Sequence, residues 1–194
     1  YIDTGAMYRA IALQAKRDNV DINSGVALSS LCDRVKIEFL PDNGGLRTIL
    51  NGEDVSEEIR TPEMSMAASD ISARKEVRQS LLSLQRRMGE NGGVVLEGRD
   101  VGTVIFPNAE AKFFLDASLE ERGKRRYKEL AAKGLDVTLE QTIEDVRKRD
   151  INDSSRDIAP LKMAADSVLV DSTNIGIKEV VEKMIKVVQN KVDQ

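Results

Sequence analysis

An α/β fold with an inserted antiparallel unit is what this sequence predicts, on three observations. Val94-Val95-Leu96, Phe113-Phe114-Leu115 and Val168-Leu169-Val170 are short apolar runs without polar alternation. Such runs suit strands covered on both faces in a parallel sheet. Helical periodicity fills the stretches between them, the alternation expected of α/β proteins. A separate tract from about Val35 opens with period-two alternation and is punctuated by turn residues.

In chain order, Tyr1-Ile2 reads as the end of a strand entering a helix through Asp3-Thr4-Gly5-Ala6-Met7-Tyr8-Arg9. A strand that begins at its last two residues predicts a preceding piece outside this chain. Val35, Ile37 and Phe39 alternate with Lys36 and Glu38, a half-buried strand. Pro41-Asp42-Asn43-Gly44-Gly45 is dense turn chemistry, Leu46 to Leu50 is a returning strand, and Asn51-Gly52 is a second hairpin signal toward Val55. Thr61-Pro62 fits an N-cap with proline at the first helical position. Val77, Leu81, Leu84 and Met88 then form one buried helical face. Ser118-Leu119-Glu120-Glu121 is a capping box opening another helix. The last helix carries Ile177, Val180, Val181, Met184, Ile185 and Val188 on one stripe. No repeat or low-complexity tract interrupts this pattern.

Composition narrows function. The 194 residues suit one domain with embellishments. Twenty-nine Lys and Arg against 33 Asp and Glu leave a net charge of −4, which argues against a general nucleic-acid binder. No apolar run approaches the ~18 residues of a membrane span. The absence of histidine removes imidazole chemistry and Ser-His-Asp hydrolysis. Cys32, the one cysteine, reads as a core residue, and a cytoplasmic location and a monomer are expected. No metal-ligating set is expected from the chain.

Arginines carry the remaining signal. Arg9 lies about one helical turn beyond Asp3-Thr4-Gly5, and Gly98-Arg99-Asp100 follows the Val94–Leu96 run directly. In open parallel sheets ligands bind beyond the carboxyl ends of strands, so both groups point to one crevice. Arg149, Asp153 and Arg156 are spaced i, i+4, i+7, on one face if helical. Two guanidiniums around a carboxylate suit a phosphate with a ribose beside it. Taken alone, that triplet reads more readily as a solvated, salt-bridged helix face, and Arg122, Arg125 and Arg126 carry the same ambiguity. Gly98-Arg99-Asp100 also reads as a plain strand-ending turn.

Taken together and in order, these pieces resemble the bacterial cytidylate kinases of the nucleoside-monophosphate kinase group. The resemblance rests on Asp3 to Arg9, Ala67-Ala68-Ser69, Val77-Arg78, Glu97-Gly98-Arg99-Asp100-Val101-Gly102-Thr103-Val104 and Phe114-Leu115-Asp116-Ala117-Ser118. It continues through Arg149-Asp150, Asp153, Arg156, Ala159-Pro160-Leu161 and Val170-Asp171-Ser172-Thr173, essentially the whole chain. It implies a P-loop NTPase-like parallel sheet flanked by helices, an inserted small antiparallel sheet and a helical lid. The implied partition is a core of 1–34, 89–148 and 161–194, an acceptor-binding insertion at 35–88 and a lid at 149–160. The implied activity is transfer of the ATP γ-phosphoryl group to CMP or dCMP, with Mg²⁺. A UMP or other small-molecule kinase of the same fold, or a non-catalytic nucleotide-binding module, is the alternative.

The same resemblance assigns residues. Thr4, Arg9, Ser69, Arg78, Arg99, Asp100, Arg149, Asp153 and Arg156 would hold the acceptor, with Arg99, Arg149 and Arg156 acting on the transferring phosphoryl group. Arg122, Arg125 and Arg126 would face the donor. One departure is plain. The family's opening strand and phosphate loop, G-x-x-x-x-G-K-[ST], do not occur, and Gly123-Lys124 is followed by Arg125 inside a helix. The expectation is that roughly 25 to 35 preceding residues, carrying the ATP phosphate cradle, lie outside the chain.

A geometric expectation follows. Ser69 and Arg78 are nine residues apart, half a turn beyond two full turns at about 100° per residue. Both can touch one base only if the helix from Pro62 breaks between them, with Ser72 expected to cap the second helix.

Overall fold

Residues 1–42 and 45–192 are described by the computed structural model, and they group into two units. The first comprises Tyr1–Val101 with Ser155–Pro160, the second Gly102–Ser154 with Leu161–Gln194.

In the first unit, β1 (Ile2–Asp3) runs into α1 (Thr4–Arg17). The junction forms because Asp3 caps the helix, accepting from the Ala6 amide at 2.9 Å. Met7, Ala10, Ile11, Ala12, Leu13 and Ala15 are buried, so α1 is apolar nearly all round and lies at the centre of this unit's core. Ser24 caps α2 (Gly25–Arg34), and β2 (Ile37–Asp42), β3 (Gly45–Leu50) and β4 (Glu53–Asp54) form an antiparallel meander. Asn43 and Gly44 of the expected turn lie outside the described residues. The second hairpin is observed: Asn51 and Gly52 take φ of +51° and +87°, the backbone that an Asn-Gly turn accommodates.

Thr61 caps α3 (Pro62–Ser72) as expected, accepting from the Met64 amide at 3.1 Å. The helix does break, at Ala73-Arg74, before α4 (Lys75–Gly89). The predicted cap is wrong, however. Arg74 occupies the N-cap position without a side-chain bond, while the Ser72 hydroxyl donates back to the Ser69 carbonyl at 2.8 Å. A serine at a helix end has an i−3 carbonyl closer to hand than the next helix's amides. Val77 and Leu81 are buried, with Leu84 and Met88 partly so. β5 (Leu96–Glu97) pairs parallel with β1. Val94-Val95 is therefore not strand, although the Val95 carbonyl accepts from the Ile2 amide at 2.8 Å.

In the second unit, β6 (Phe113–Asp116) precedes α5 (Leu119–Ala132) and α6 (Leu139–Ser155), and β7 (Val168–Asp171) precedes α7 (Ile177–Val192). β6 and β7 pair in parallel, Phe113 opposite Val168. Half of the expected capping box forms at α5. The Ser118 hydroxyl accepts from the Glu121 amide at 3.2 Å, but the Ser118 amide donates to Thr173 Oγ1 and Glu121 pairs with Arg125. Gly123 sits where α5 meets α6, because a Cβ there would overlap the Ile143 side chain.

Two burial expectations differ from the structure. Leu115 and Leu169 are each 55% exposed, although their runs lack polar alternation. The α7 stripe forms but none of it is buried, and Ile177, Val181, Ile185 and Val188 are exposed. Periodicity records which face a segment can bury, whereas the neighbours actually beside it decide how much is covered.

Candidate active site

The break between α3 and α4 is what assembles the first cluster. It turns Arg78 back toward α1 while Ser69 stays on the last turn of α3. Arg78 Nη2 lies 2.8 Å from Asp100 Oδ2, and both side chains are only 7% exposed. Arg78 Nη1 donates to the Tyr8 hydroxyl at 3.1 Å and to the Ser72 carbonyl at 3.3 Å. The guanidinium also lies 5.5 Å from the Tyr8 ring centroid, within cation–π range. Burial pushes the Tyr8 phenol above its usual pKa, opposed by the Arg78 charge. Ser69 is buried one turn before Ser72. Arg78 and Asp100 thus pair directly, and Ser72 links Arg78 to the backbone of Ser69.

Arg156 does not continue the helix that carries Arg149 and Asp153. α6 ends at Ser155, so the expected i, i+4, i+7 face holds only for its first two members. The chain turns here because Arg156 Nε reaches the Ala159 carbonyl at 2.8 Å, Ala159 takes φ of +49°, and Pro160 follows. Arg156 belongs instead to the first unit, where its Nη1 donates to the Ser72 hydroxyl at 2.8 Å. In the second unit, Arg149 Nε lies 3.7 Å from Asp153 Oδ2, and Asp153 is buried.

The strand ends supply the rest. Arg9 pairs with Asp3 at 2.7 Å, a reach-back that the missing side chain of Gly5 leaves room for. The Thr4 hydroxyl is buried and donates to the Glu97 carbonyl at 2.7 Å, tying β1 to β5. A Cβ on Gly98 would overlap that hydroxyl, so the Gly-Arg-Asp turn needs its glycine for close approach. Arg99, in the middle of this turn, is exposed.

The second-unit arginines are engaged locally. Arg122 pairs with Asp150 at 2.5 Å and donates to the Ala117 carbonyl, and Arg126 pairs with Glu129. Arg125 spans Glu121 and both the hydroxyl and carbonyl of Ser172. Gly123-Lys124 lies within α5, so no phosphate loop forms there. Among the described residues there is no group of three or more His, Cys, Asp or Glu that could hold a metal, and no helix is long and apolar enough to cross a membrane.

Sequence reasoning misses two participants, Tyr8 and Ser72. A tyrosine inside a nearly all-apolar helix is a signal for Tyr8, because a buried phenol needs a partner. Ser72 has no such signal, since its partners come from 3 and 84 positions away.

A family model for cytidylate kinase matches residues 1–190. The chain is similar to the cytidylate kinase of Syntrophotalea carbinolica, 56% identical over 187 residues, covering 96% of this chain and 80% of that protein. It is 52% identical to the cytidylate kinase of Geobacter sulfurreducens over 191 residues, 98% and 82% of the two chains. The cytidylate kinase of Bacillus subtilis is 46% identical over 191 residues, 98% and 85%.

Proposed function

The chain belongs to the cytidylate kinase family, and from that premise we propose how its own residues take the acceptor nucleotide. The activity is transfer of the ATP γ-phosphoryl group to CMP or dCMP. Phosphoryl transfer depends on positioning and charge neutralisation more than on covalent chemistry. ATP, with Mg²⁺, supplies the group that is transferred.

The observation that carries the proposal is the buried Arg78–Asp100 pair at 2.8 Å, with Ser69 on the adjoining broken helix. Cytosine offers an exocyclic amine donor beside ring and carbonyl acceptors. Asp100 accepts from the amine, Arg78 donates to the acceptors, and Ser69 completes the pocket wall. Tyr8 fixes the guanidinium plane from below. Uracil brings a carbonyl where the amine was, setting two acceptors against each other at about 1–3 kcal/mol per unpaired group.

Arg9 and Arg99 hold the acceptor monophosphate from the strand ends, next to Thr4. Asp153 faces the ribose hydroxyls, and Arg149 and Arg156 neutralise charge on the transferring group, from a lid at 149–160. Residues 35–88 are the acceptor-binding insertion and 1–34, 89–148 and 161–194 the core. Arg122, Arg125 and Arg126 serve the donor side. Titration calorimetry with CMP and UMP tests the base reading, and CMP is expected to bind about tenfold or more tightly. Equal affinity for the two nucleotides overturns it.

A further inference from the structure

We propose that Ser72 is a positioning residue, setting the Arg156 guanidinium in the acceptor pocket; this rests on the acceptor reading above. Ser72 closes α3 and is only 5% exposed. Its hydroxyl is committed on both sides. The proton goes to the Ser69 carbonyl at 2.8 Å, which orients the lone pairs that receive Arg156 Nη1 at 2.8 Å. The Ser72 carbonyl meanwhile accepts from Arg78 Nη1 at 3.3 Å. One small residue therefore touches the helix turn bearing Ser69, the base-reading Arg78 and the phosphate-directed Arg156.

The segment carrying Arg156 is also turned back on itself beside the α3–α4 break. Arg156 Nε holds the Ala159 carbonyl, and Ile158 lines a cavity of about 280 Å³ with Leu28, Ala73 and Arg74 at the α3–α4 break. Arginine is rich in rotamers, and its freedom must be lost before a phosphate can be held. A hydroxyl that is itself locked removes that freedom in advance, which is the physical content of preorganisation. Because the same break places Ser69 and Arg78, the guanidinium is set from the wall of the base pocket.

The test is titration calorimetry of the whole chain with CMP and with cytidine, which lacks the phosphate. Ser72→Ala is expected to weaken CMP about tenfold, the scale of one hydrogen bond to a charged group, while cytidine stays within about twofold. The CMP loss should vanish in an Arg156→Ala background, as expected of residues acting through one contact. Arg156→Ala alone leaves the buried end of α3 intact and should give the same split between CMP and cytidine. Equal weakening of both ligands, no weakening of either, or an undiminished Ser72 effect without Arg156 overturns the proposal. Failure of the unaltered chain to bind CMP refutes the acceptor reading, and this inference with it.

Discussion

Asp100→Ala removes one partner of a buried ion pair, and burial sets its cost. Arg78 and Asp100 are each 7% exposed and meet at 2.8 Å, so water screens them poorly. Two unit charges about 4 Å apart attract by about 4 kcal/mol at an effective dielectric near 20. Without the carboxylate, Arg78 keeps the Tyr8 hydroxyl and the Ser72 carbonyl, neither of which cancels its charge. Destabilisation of about 3–5 kcal/mol is expected. For a chain of this length that is a Tm lower by roughly 6–20 °C. Arg78→Met combined with Asp100→Leu replaces the pair with apolar groups and should recover most of the stability. The double variant should nevertheless lose its preference for CMP over UMP. Thermal melts run beside calorimetric titrations separate the two effects. Asp100→Ala melting within about 2 °C of the unaltered protein would show the pair to be screened. A double variant that still prefers CMP would show that the pair does not read the base.

Three further outcomes follow from the packing and charge described above. Gly98→Ala drives a Cβ into the Thr4 hydroxyl, which is buried and held on the Glu97 carbonyl. A loss of about 1–3 kcal/mol in thermal melts is expected, and an unchanged Tm refutes the close approach. Gly123→Ala overlaps Ile143 and comes within 3.1 Å of its Cα, so denaturant titration should show a similar loss as α5 and α6 are forced apart. The Lys112 ammonium at 2.5 Å holds the Asp166 carboxyl below the usual range. That contribution is present above about pH 4 and is lost as pH falls through the depressed folded-state value. Asp166→Asn should therefore flatten the stability profile in acid, whereas parallel profiles for the two proteins would contradict the pairing.

Local chemistry is legible in the chain because its causes lie within a few residues. The Thr61 cap, the Asn51-Gly52 turn and the buried Val77–Leu81 face depend on neighbours that periodicity reports directly. The need for a break between Ser69 and Arg78 is likewise arithmetic, once both are required at one base. The wrong cap at Ser72 is informative for the same reason. The Ser69 carbonyl and the next helix's amides compete for one hydroxyl, and its other partner, Arg156, is 84 positions away.

What the sequence by itself determines here is the fold class, the family and the residue types brought to the site. Patterning and motif order are properties of the chain alone. Only the tertiary structure decides how these side chains are used. It pairs Arg78 with Asp100, places Tyr8 beneath the guanidinium and takes Arg156 off its helix onto Ser72. It also leaves the α7 stripe exposed. The physical reason is range. A helix period or a cap is settled by bonds a few residues long, whereas a buried charge finds its partner only after distant segments have packed and excluded the water between them.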